Sequence, residues 1–445
     1  MKFHLNSQNR DTFKELKLPH RISWKQGVAL KTFLFILVIN ALRLPSGMLN
    51  FWAEDGVVFY SDAINISFPQ RLFADSGGGG YLNLSGKIIA EGVRLFPIEI
   101  APMANFVFVN LIYAVLFILI YNRLYFFFRT KAFLLIFMGF FIFVPIASFD
   151  SVATSINLHF FLLFTCLVVL LTSETKPSLI SHLIISVTCL SDPLAVLLIP
   201  VILFSAVYKR SLNSHLVTFV FSLLLQVLFV FHFFGESTRV VGQNPSIAKT
   251  FYLFIDRVVG SSFIPMWGFV DGSILIIGDT PRILYIRFFI GITVLCLVVS
   301  VLIIAKSLNN TPARKSQNFL VVMFLLTSSL YWAVAGLFFN PEPRYAILPS
   351  LCLSLVFLMS LDSIIDDRKG DIAQRYPIYV TIFLFISVFV SSFSASDIRN
   401  TNLIWSEQLA AGRVACENAN LEQIEIQIPP EKNELLLLLD CDKLR

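Results

Sequence analysis

Eleven long apolar runs divide this chain of 445 residues, and they constrain its fold more than any other feature. A helix needs roughly 20 apolar residues to cross the hydrocarbon core of a bilayer, and most of the runs approach that length. Because 56% of the residues are hydrophobic and only 14% are charged, a water-soluble fold has too little polar surface to cover them. The sequence therefore predicts an all-α integral membrane protein with about eleven transmembrane helices. The predicted spans are 28–45, 98–122, 132–149, 156–172, 178–191, 194–208, 215–234, 284–305, 318–339, 345–362 and 376–394.

Two of these runs, 178–191 and 194–208, are shorter than a spanning helix requires, and they flank Ser191-Asp192-Pro193. They predict a tight helical hairpin that does not cross fully. An aspartate directly before a proline is typical of a helix N-cap, so Asp192 is expected to cap the second helix.

The distribution of charge predicts the orientation. Residues 1–27 are polar and basic, which places the N-terminus in the cytoplasm by the positive-inside rule. Every second loop is then cytoplasmic and basic, and most of the 29 acidic residues fall on the other side. This gives a transmembrane domain over 28–394 with outer loops 46–97 and 235–283, followed by an extracytoplasmic tail over 395–445. The basic residues of the predicted inner loops are Arg123, Arg129, Lys131, Lys176, Lys209, Arg210, Lys306, Arg314, Lys315, Arg368, Lys369 and Arg375.

The tail carries a pattern of its own. Residues 421–428 alternate polar and apolar side chains, and after Pro429-Pro430 a second apolar run covers 435–439. This period of two predicts a small β-hairpin outside the membrane. Cys416 and Cys441 flank it, and the sequence leaves open whether they form a disulfide or remain two thiols.

The candidate catalytic and binding residues lie at the predicted outer ends of the spans, because the span centres contain almost no charged side chains. Glu54 and Asp55 follow the first span, and adjacent carboxylates repel each other, which raises the pKa of one towards the range of a general base. The alternative is a solvated acidic turn at the start of an outer helix.

Two further residues suit contact with a phosphate. Arg344 lies between two spans beside a rigid Pro-Glu-Pro segment, and its planar guanidinium suits a phosphate as well as it suits lipid headgroups. His159 opens the fourth span and is suited to donate a hydrogen bond, shuttle a proton or simply pack.

Four short motifs in this order resemble a family of uncharacterised bacterial multi-span proteins related to the GT-C glycosyltransferases. They are Glu54-Asp55-Gly56, Tyr81-Leu82-Asn83-Leu84 with Lys87, Asn157-Leu158-His159 and Pro343-Arg344-Tyr345. The corresponding family motifs read EDG, GYLHLVPR, NLHW and PRY, and the tail is similar in the placement of Trp405, Cys416 and Cys441. The chain departs from the family at Lys87, where an arginine is usual, and at Asn83, where a histidine is usual.

The resemblance implies a GT-C-like fold and an inverting sugar transfer at the outer face of a bacterial cytoplasmic membrane. The donor would be a polyprenyl-phosphate-linked sugar, and the acceptor a glycan or lipid of the cell envelope. Asp55 is then the expected general base with Glu54 beside it. The donor phosphate would be bound by Arg344 and Tyr345 with Lys87, His159 and Asn157. No obligatory cofactor or metal is expected, although a divalent cation occurs in some such enzymes.

Two other functions fit the same spans. A transporter or flippase of lipid-linked sugars predicts a wide polar cavity lined along several helices. A non-enzymatic envelope assembly protein predicts that Glu54, Asp55 and Arg344 are dispensable. No basic surface interleaved with aromatic residues occurs, so nucleic acid is not an expected partner.

Overall fold

The structure is a computed structural model of the chain. It describes residues 26–74, 80–144, 153–172, 178–209, 214–232, 246–263, 290–296, 298–303, 312–338, 343–366, 376–393, 403–418, 421–429 and 435–444. Most of the predicted N-terminal segment 1–27 and much of the predicted outer loop 235–283 lie outside these residues.

The described part of the chain is mostly helical, as the apolar runs predict. Its α-helices are α1 (Gln26–Arg43), α2 (Ser61–Asn65), α3 (Phe68–Leu72), α4 (Leu84–Val93), α5 (Ala101–Leu124), α6 (Lys131–Phe143), α7 (Leu158–Leu171), α8 (Leu179–Cys189), α9 (Ile199–Lys209), α10 (Ser214–His232), α11 (Ile247–Leu253), α12 (Ser261–Phe263), α13 (290–296 and 298–303), α14 (Pro312–Phe338), α15 (Ile347–Asp366), α16 (Tyr376–Phe393) and α17 (Trp405–Asn418). Two strands follow, β1 (Gln423–Ile428) and β2 (Leu435–Asp440).

Four helical segments of the described residues are long and apolar enough to cross a membrane: Ile98–Leu124, Ser214–His232, Ser316–Leu337 and Arg344–Ile364. A fifth is obtained if Leu179–Cys189 and Pro193–Val207, which are bent by 116° at a short break, count as one span. The predicted span 28–45 overlaps α1, which has 18 residues. The predicted spans 132–149, 156–172, 284–305 and 376–394 overlap shorter apolar helices of the described residues. A helix rises about 1.5 Å per residue, so helices of this length fall short of a hydrocarbon core about 30 Å thick. The count of eleven spans therefore stays a prediction.

The bend between α8 and α9 confirms the predicted break at Asp192. This carboxylate caps the 3₁₀ turn Pro193–Leu198, because its Oδ1 accepts the backbone N–H of Leu194 at 2.8 Å. Proline favours the first position of such a turn because the turn leaves that N–H unpaired.

Helix α7 is the centre of the bundle. Every one of its residues is buried, and its sequence is apolar on all sides, as expected for a helix surrounded by other helices. The chain segment 153–157 leads directly into it, so whatever binds this segment is fixed relative to the core.

The two ends of the bundle are distinguished by the loops that meet there. At one end, Arg43 of α1 donates to the carbonyls of Ile142 at 3.4 Å and Phe143 at 3.3 Å. At the other end, Asp362 of α15 accepts the backbone N–H groups of Arg129 and Thr130, both at 2.8 Å. The first of these is the end against which the C-terminal residues pack, and we call it the capped end.

The C-terminal cap comprises α17 and the antiparallel pair β1–β2, whose register runs from Gln423 opposite Asp440 to Ile428 opposite Leu435. The predicted hairpin-like strand pair is thus confirmed. The isoleucines of β1 are buried while the alternate polar residues point outward, which is the consequence of the period-two pattern. A disulfide joins Cys416 of α17 to Cys441 beyond β2.

Trp405 anchors the cap to the bundle. Its backbone N–H donates to the Asn50 side chain at 2.8 Å, and its indole N–H donates to the carbonyl of Ile98 at 2.7 Å. The indole also packs edge-on against Phe51 and Tyr60, with ring centroids 5.2 Å and 6.2 Å away. These contacts hold the cap over the segment that follows α1.

Candidate functional site

The predicted acidic motif lies in a tight turn under the cap. Residues Asp55–Tyr60 form a π-helical turn, and Ala53 enters it with φ of 46°, in the left-handed region that is costly for a residue with a Cβ. The Ala53 N–H donates to the carbonyl of Pro429 at 2.7 Å. A Cβ on Gly56 would lie 3.1 Å from Ile428, so the cap approaches this turn closely. The cap therefore holds a strained backbone directly beside the two carboxylates.

Asp55 binds the segment that precedes α7. One carboxylate oxygen accepts the Ser155 hydroxyl at 2.8 Å and the Ile156 N–H at 2.9 Å. The other accepts the Ser155 N–H at 2.9 Å and the Asn105 side chain at 3.1 Å. Ala153, two residues before Ser155, is again left-handed with φ of 58°. Asp55 is 2% exposed, and both of its oxygens are occupied by donors, so it acts as a joint between two strained segments.

Glu54 is in the opposite situation. Its side chain is partly exposed, and among the described residues no hydrogen bond or ion pair involves its carboxylate. It is fixed in position all the same, because Ala53 is bound to the cap and Asp55 to the core. The pair thus divides into a buried, saturated carboxylate and a free one.

Burial raises the pKa of Asp55, and the donors from Ser155, Ile156 and Asn105 offset only part of that rise. The raised pKa predicted for one member of the acidic pair thus appears, but its cause is desolvation rather than repulsion between neighbours. A raised pKa alone does not make a base, since a base needs a free lone pair within reach of the proton it takes.

His159 lies one helical turn further along the same segment. Its Nδ1 is 2.5 Å from the carbonyl of Ile156, which accepts only, so Nδ1 carries a proton. Its Nε2 faces Asp192 with 3.9 Å between the nitrogen and Oδ2. The ring of His159 thus lies between a backbone carbonyl and a carboxylate at the capped end.

The late motif approaches the same region. The Tyr345 ring packs edge-on against Phe160, next to His159, with ring centroids 5.5 Å apart. Tyr331 of α14 lies within electrostatic range of Arg344, Tyr345 and Asp192. A set of polar residues is therefore linked through residues 155–160. We call it the polar cluster, and it consists of Asp55, His159, Asp192, Tyr331, Arg344 and Tyr345.

Tyr331 belongs to the cluster although nothing in the sequence singles it out. It is fully buried, and among the described residues its hydroxyl has no hydrogen-bond partner. A buried hydroxyl without a partner is rare, and it is a donor suited to a ligand oxygen. Its signal in the sequence is weak, since a tyrosine in an apolar run reads as an ordinary core residue.

Asn157 lies beside the polar cluster, and its side chain contacts a neighbour in the same chain segment. Its side-chain nitrogen donates to the Thr154 hydroxyl at 3.2 Å, within the short segment that Asp55 holds. The Asn157 side chain thus helps to shape the turn that leads into α7.

Lys87 belongs to a different group. Its ammonium donates to the carbonyl of Ala74 at 2.6 Å, and its charge lowers the pKa of Asp62. Its helix α4 is tied to the capped end at its first turn, where the Ser85 N–H donates to the Ser191 hydroxyl at 2.8 Å. The role of Lys87 beside Arg344 stays a prediction.

Within the described residues, no group of three His, Cys, Asp or Glu side chains is arranged to hold a metal ion. The comparisons with known proteins add no assignment: no family model matches the chain, and no curated protein matches its sequence.

Proposed function

We propose that this chain is an inverting membrane glycosyltransferase of the GT-C type. It would move a sugar from a polyprenyl-phosphate donor to a glycan or lipid acceptor at the outer face of a bacterial cytoplasmic membrane. The proposal keeps eleven spans and a cytoplasmic N-terminus. The observation that carries it is the pairing of one free carboxylate, Glu54, with a polar cluster that contains Arg344 at the same end of the bundle.

In this proposal the two carboxylates exchange their expected roles. Glu54 is the general base, because its oxygens are free to accept a proton. Asp55 is a positioning residue, because donors fill both of its oxygens and its bonds to Ser155 and Ile156 fix Glu54 relative to α7. The carboxylate of Glu54 takes the proton of an acceptor hydroxyl, and the hydroxyl oxygen attacks the anomeric carbon of the donor sugar.

The bond between the anomeric carbon and the phosphate oxygen breaks as the glycosidic bond forms. The electron pair leaves with the polyprenyl phosphate, whose negative charge needs stabilisation. Arg344 supplies that charge, helped by His159 when its ring is protonated, while the hydroxyls of Tyr345 and Tyr331 supply neutral donors. A cation at a phosphate and a base at the acceptor are the minimum set for this transfer.

The test uses a deletion strain complemented with Glu54→Gln, Arg344→Gln and, as a matched control, Glu407→Gln. Glu407 is an exposed carboxylate on the cap, so its loss changes the charge equally without touching the cluster. We expect Glu54→Gln and Arg344→Gln to lose the cell-surface glycan at normal membrane levels, and Glu407→Gln to restore it.

Other outcomes identify the alternatives. A deletion strain with lipid-linked sugar accumulating on the inner leaflet would indicate a transporter or flippase. Full restoration of the glycan by Glu54→Gln and Arg344→Gln would leave an assembly role and refute catalysis.

A further inference from the structure

A second group of charged side chains lies outside the polar cluster, on α2, α3 and α4. It contains Arg71, Lys87, Asp62, Glu91 and Arg94. Arg71 is 0% exposed and Lys87 is 1% exposed, so two cations are buried in a short outer-loop region.

Arg71 is only partly satisfied. Its Nη2 pairs with Glu91, and its guanidinium lies 5.4 Å from the centre of the Phe68 ring. Among the described residues, its Nε and Nη1 have no hydrogen-bond partner, although both are buried. A guanidinium has five N–H donors, so one carboxylate oxygen leaves most of them unused. Buried donors of a charged group are costly when they lack acceptors.

Lys87 lies near this guanidinium, because its ammonium donates to the carbonyl of Ala74 and the Ala74 N–H donates to the carbonyl of Arg71. Burial raises the pKa of Asp62, while the charges of Lys87 and Arg71 lower it. Glu91 lies one turn after Lys87 on α4 and pairs with Arg71, so both cations border the same turn of α4. An oxyanion beside Arg71 would accept its free donors.

We propose that Arg71 and Lys87 form a binding site for a phosphate group, separate from the donor site at Arg344. The planar fork of arginine suits two phosphate oxygens at once, and lysine adds a point charge. Phosphate is preferred to a carboxylate because its tetrahedral oxygens can serve both cations at the same time. The site stands whether or not the chain transfers sugars. In a transferase it would recognise a phosphate-bearing acceptor.

The structure supplies a matched control. Arg94 also pairs with Glu91, at 2.6 Å, but its side chain is 43% exposed. Arg94→Lys therefore perturbs the same carboxylate without touching the buried donors. Arg71→Lys keeps the charge and removes the planar fork, and Lys87→Met tests the second cation if Arg71→Lys fails to fold.

The experiment measures the thermal unfolding temperature of the purified full chain in phospholipid-free detergent, with chloride and phosphate compared at equal ionic strength. One arm uses inorganic phosphate and another uses a short-chain phosphatidylglycerol. We expect a saturable rise in unfolding temperature with phosphate, weakened about tenfold in affinity by Arg71→Lys or Lys87→Met and unchanged in Arg94→Lys. If inorganic phosphate raises the unfolding temperature, the ligand of the site is a soluble or glycan phosphate. If only the lipid raises it, the ligand is a lipid headgroup.

Arg344→Gln separates this site from the proposed active site. It should keep the Arg71-dependent rise even though it loses the glycan. The proposal is overturned if neither phosphate compound raises the unfolding temperature beyond chloride, if Arg71→Lys and Lys87→Met both bind phosphate as the wild type does, or if Arg344→Gln alone abolishes the effect.

Discussion

Replacing Asp55 with asparagine separates a structural joint from a catalytic base. The amide can present its oxygen to only one of the two donor pairs. Whichever way it turns, its NH₂ group faces the backbone N–H of either Ser155 or Ile156. A backbone N–H is a donor and cannot accept a hydrogen bond from that NH₂ group. The Ser155 hydroxyl and the Asn105 amide can reorient, so one bond to a charged oxygen is lost outright. The loss and the weaker neutral bonds that remain predict a destabilisation of about 2–4 kcal/mol.

The assay is chemical unfolding in detergent together with hydrogen exchange of the amides in 153–157. Asp55→Asn should lower the free energy of unfolding and speed exchange at Ser155 and Ile156, whose N–H groups the carboxylate accepts. Glu54→Gln should change the free energy of unfolding by less than about 0.5 kcal/mol, because its carboxylate makes no bond in the described structure. Equal stability of Asp55→Asn and wild type, with unchanged exchange, would refute the assignment of Asp55 as a joint.

Three further predictions concern Ala53, the disulfide of the cap and Asp62. Ala53→Gly should stabilise the protein by about 0.5–1 kcal/mol, because glycine removes the left-handed strain at φ of 46°; a measured loss of unfolding free energy contradicts the strain. Replacing Cys416 and Cys441 by alanine should cost about 3–4 kcal/mol through the 25-residue loop that their disulfide closes, and melting curves unchanged by that replacement or by reduction would count against it. Burial raises the pKa of Asp62, so its ionisation weakens the fold as pH rises from 3.8 through the raised pKa. Asp62→Asn should therefore be more stable than wild type at pH 7 and lose that advantage below about pH 4, and an advantage that does not vary with pH would exclude this cause.

The sequence singled out the acidic pair but did not distinguish its two carboxylates. Glu54 and Asp55 look equivalent as an adjacent acidic pair, and only the donors of Ser155 and Ile156 distinguish them. Those donors lie 100 residues along the chain, so no local pattern reports them. Lys87 illustrates the same limit, because its position after the Tyr-Leu-Asn-Leu motif does not predict that its ammonium donates to the carbonyl of Ala74.

Other features were accessible because their causes are local. The helices follow from apolar runs, the strand pair from a period-two alternation around Pro429-Pro430, and the cap at Asp192 from the proline that follows it. The number of spans is not accessible in this way, since several apolar runs form helices too short to cross alone.

By itself, the sequence determined that the chain is helical and apolar enough for a membrane, and that a small sheet follows the last helix. These properties depend on side-chain period and on the cost of exposing apolar surface, which neighbouring residues decide. Only the tertiary structure decided which carboxylate is free, which cations share a partner and where the cap packs. Those outcomes depend on hydrogen bonds between distant segments, and a buried polar group is satisfied or left free only once the whole bundle has closed around it.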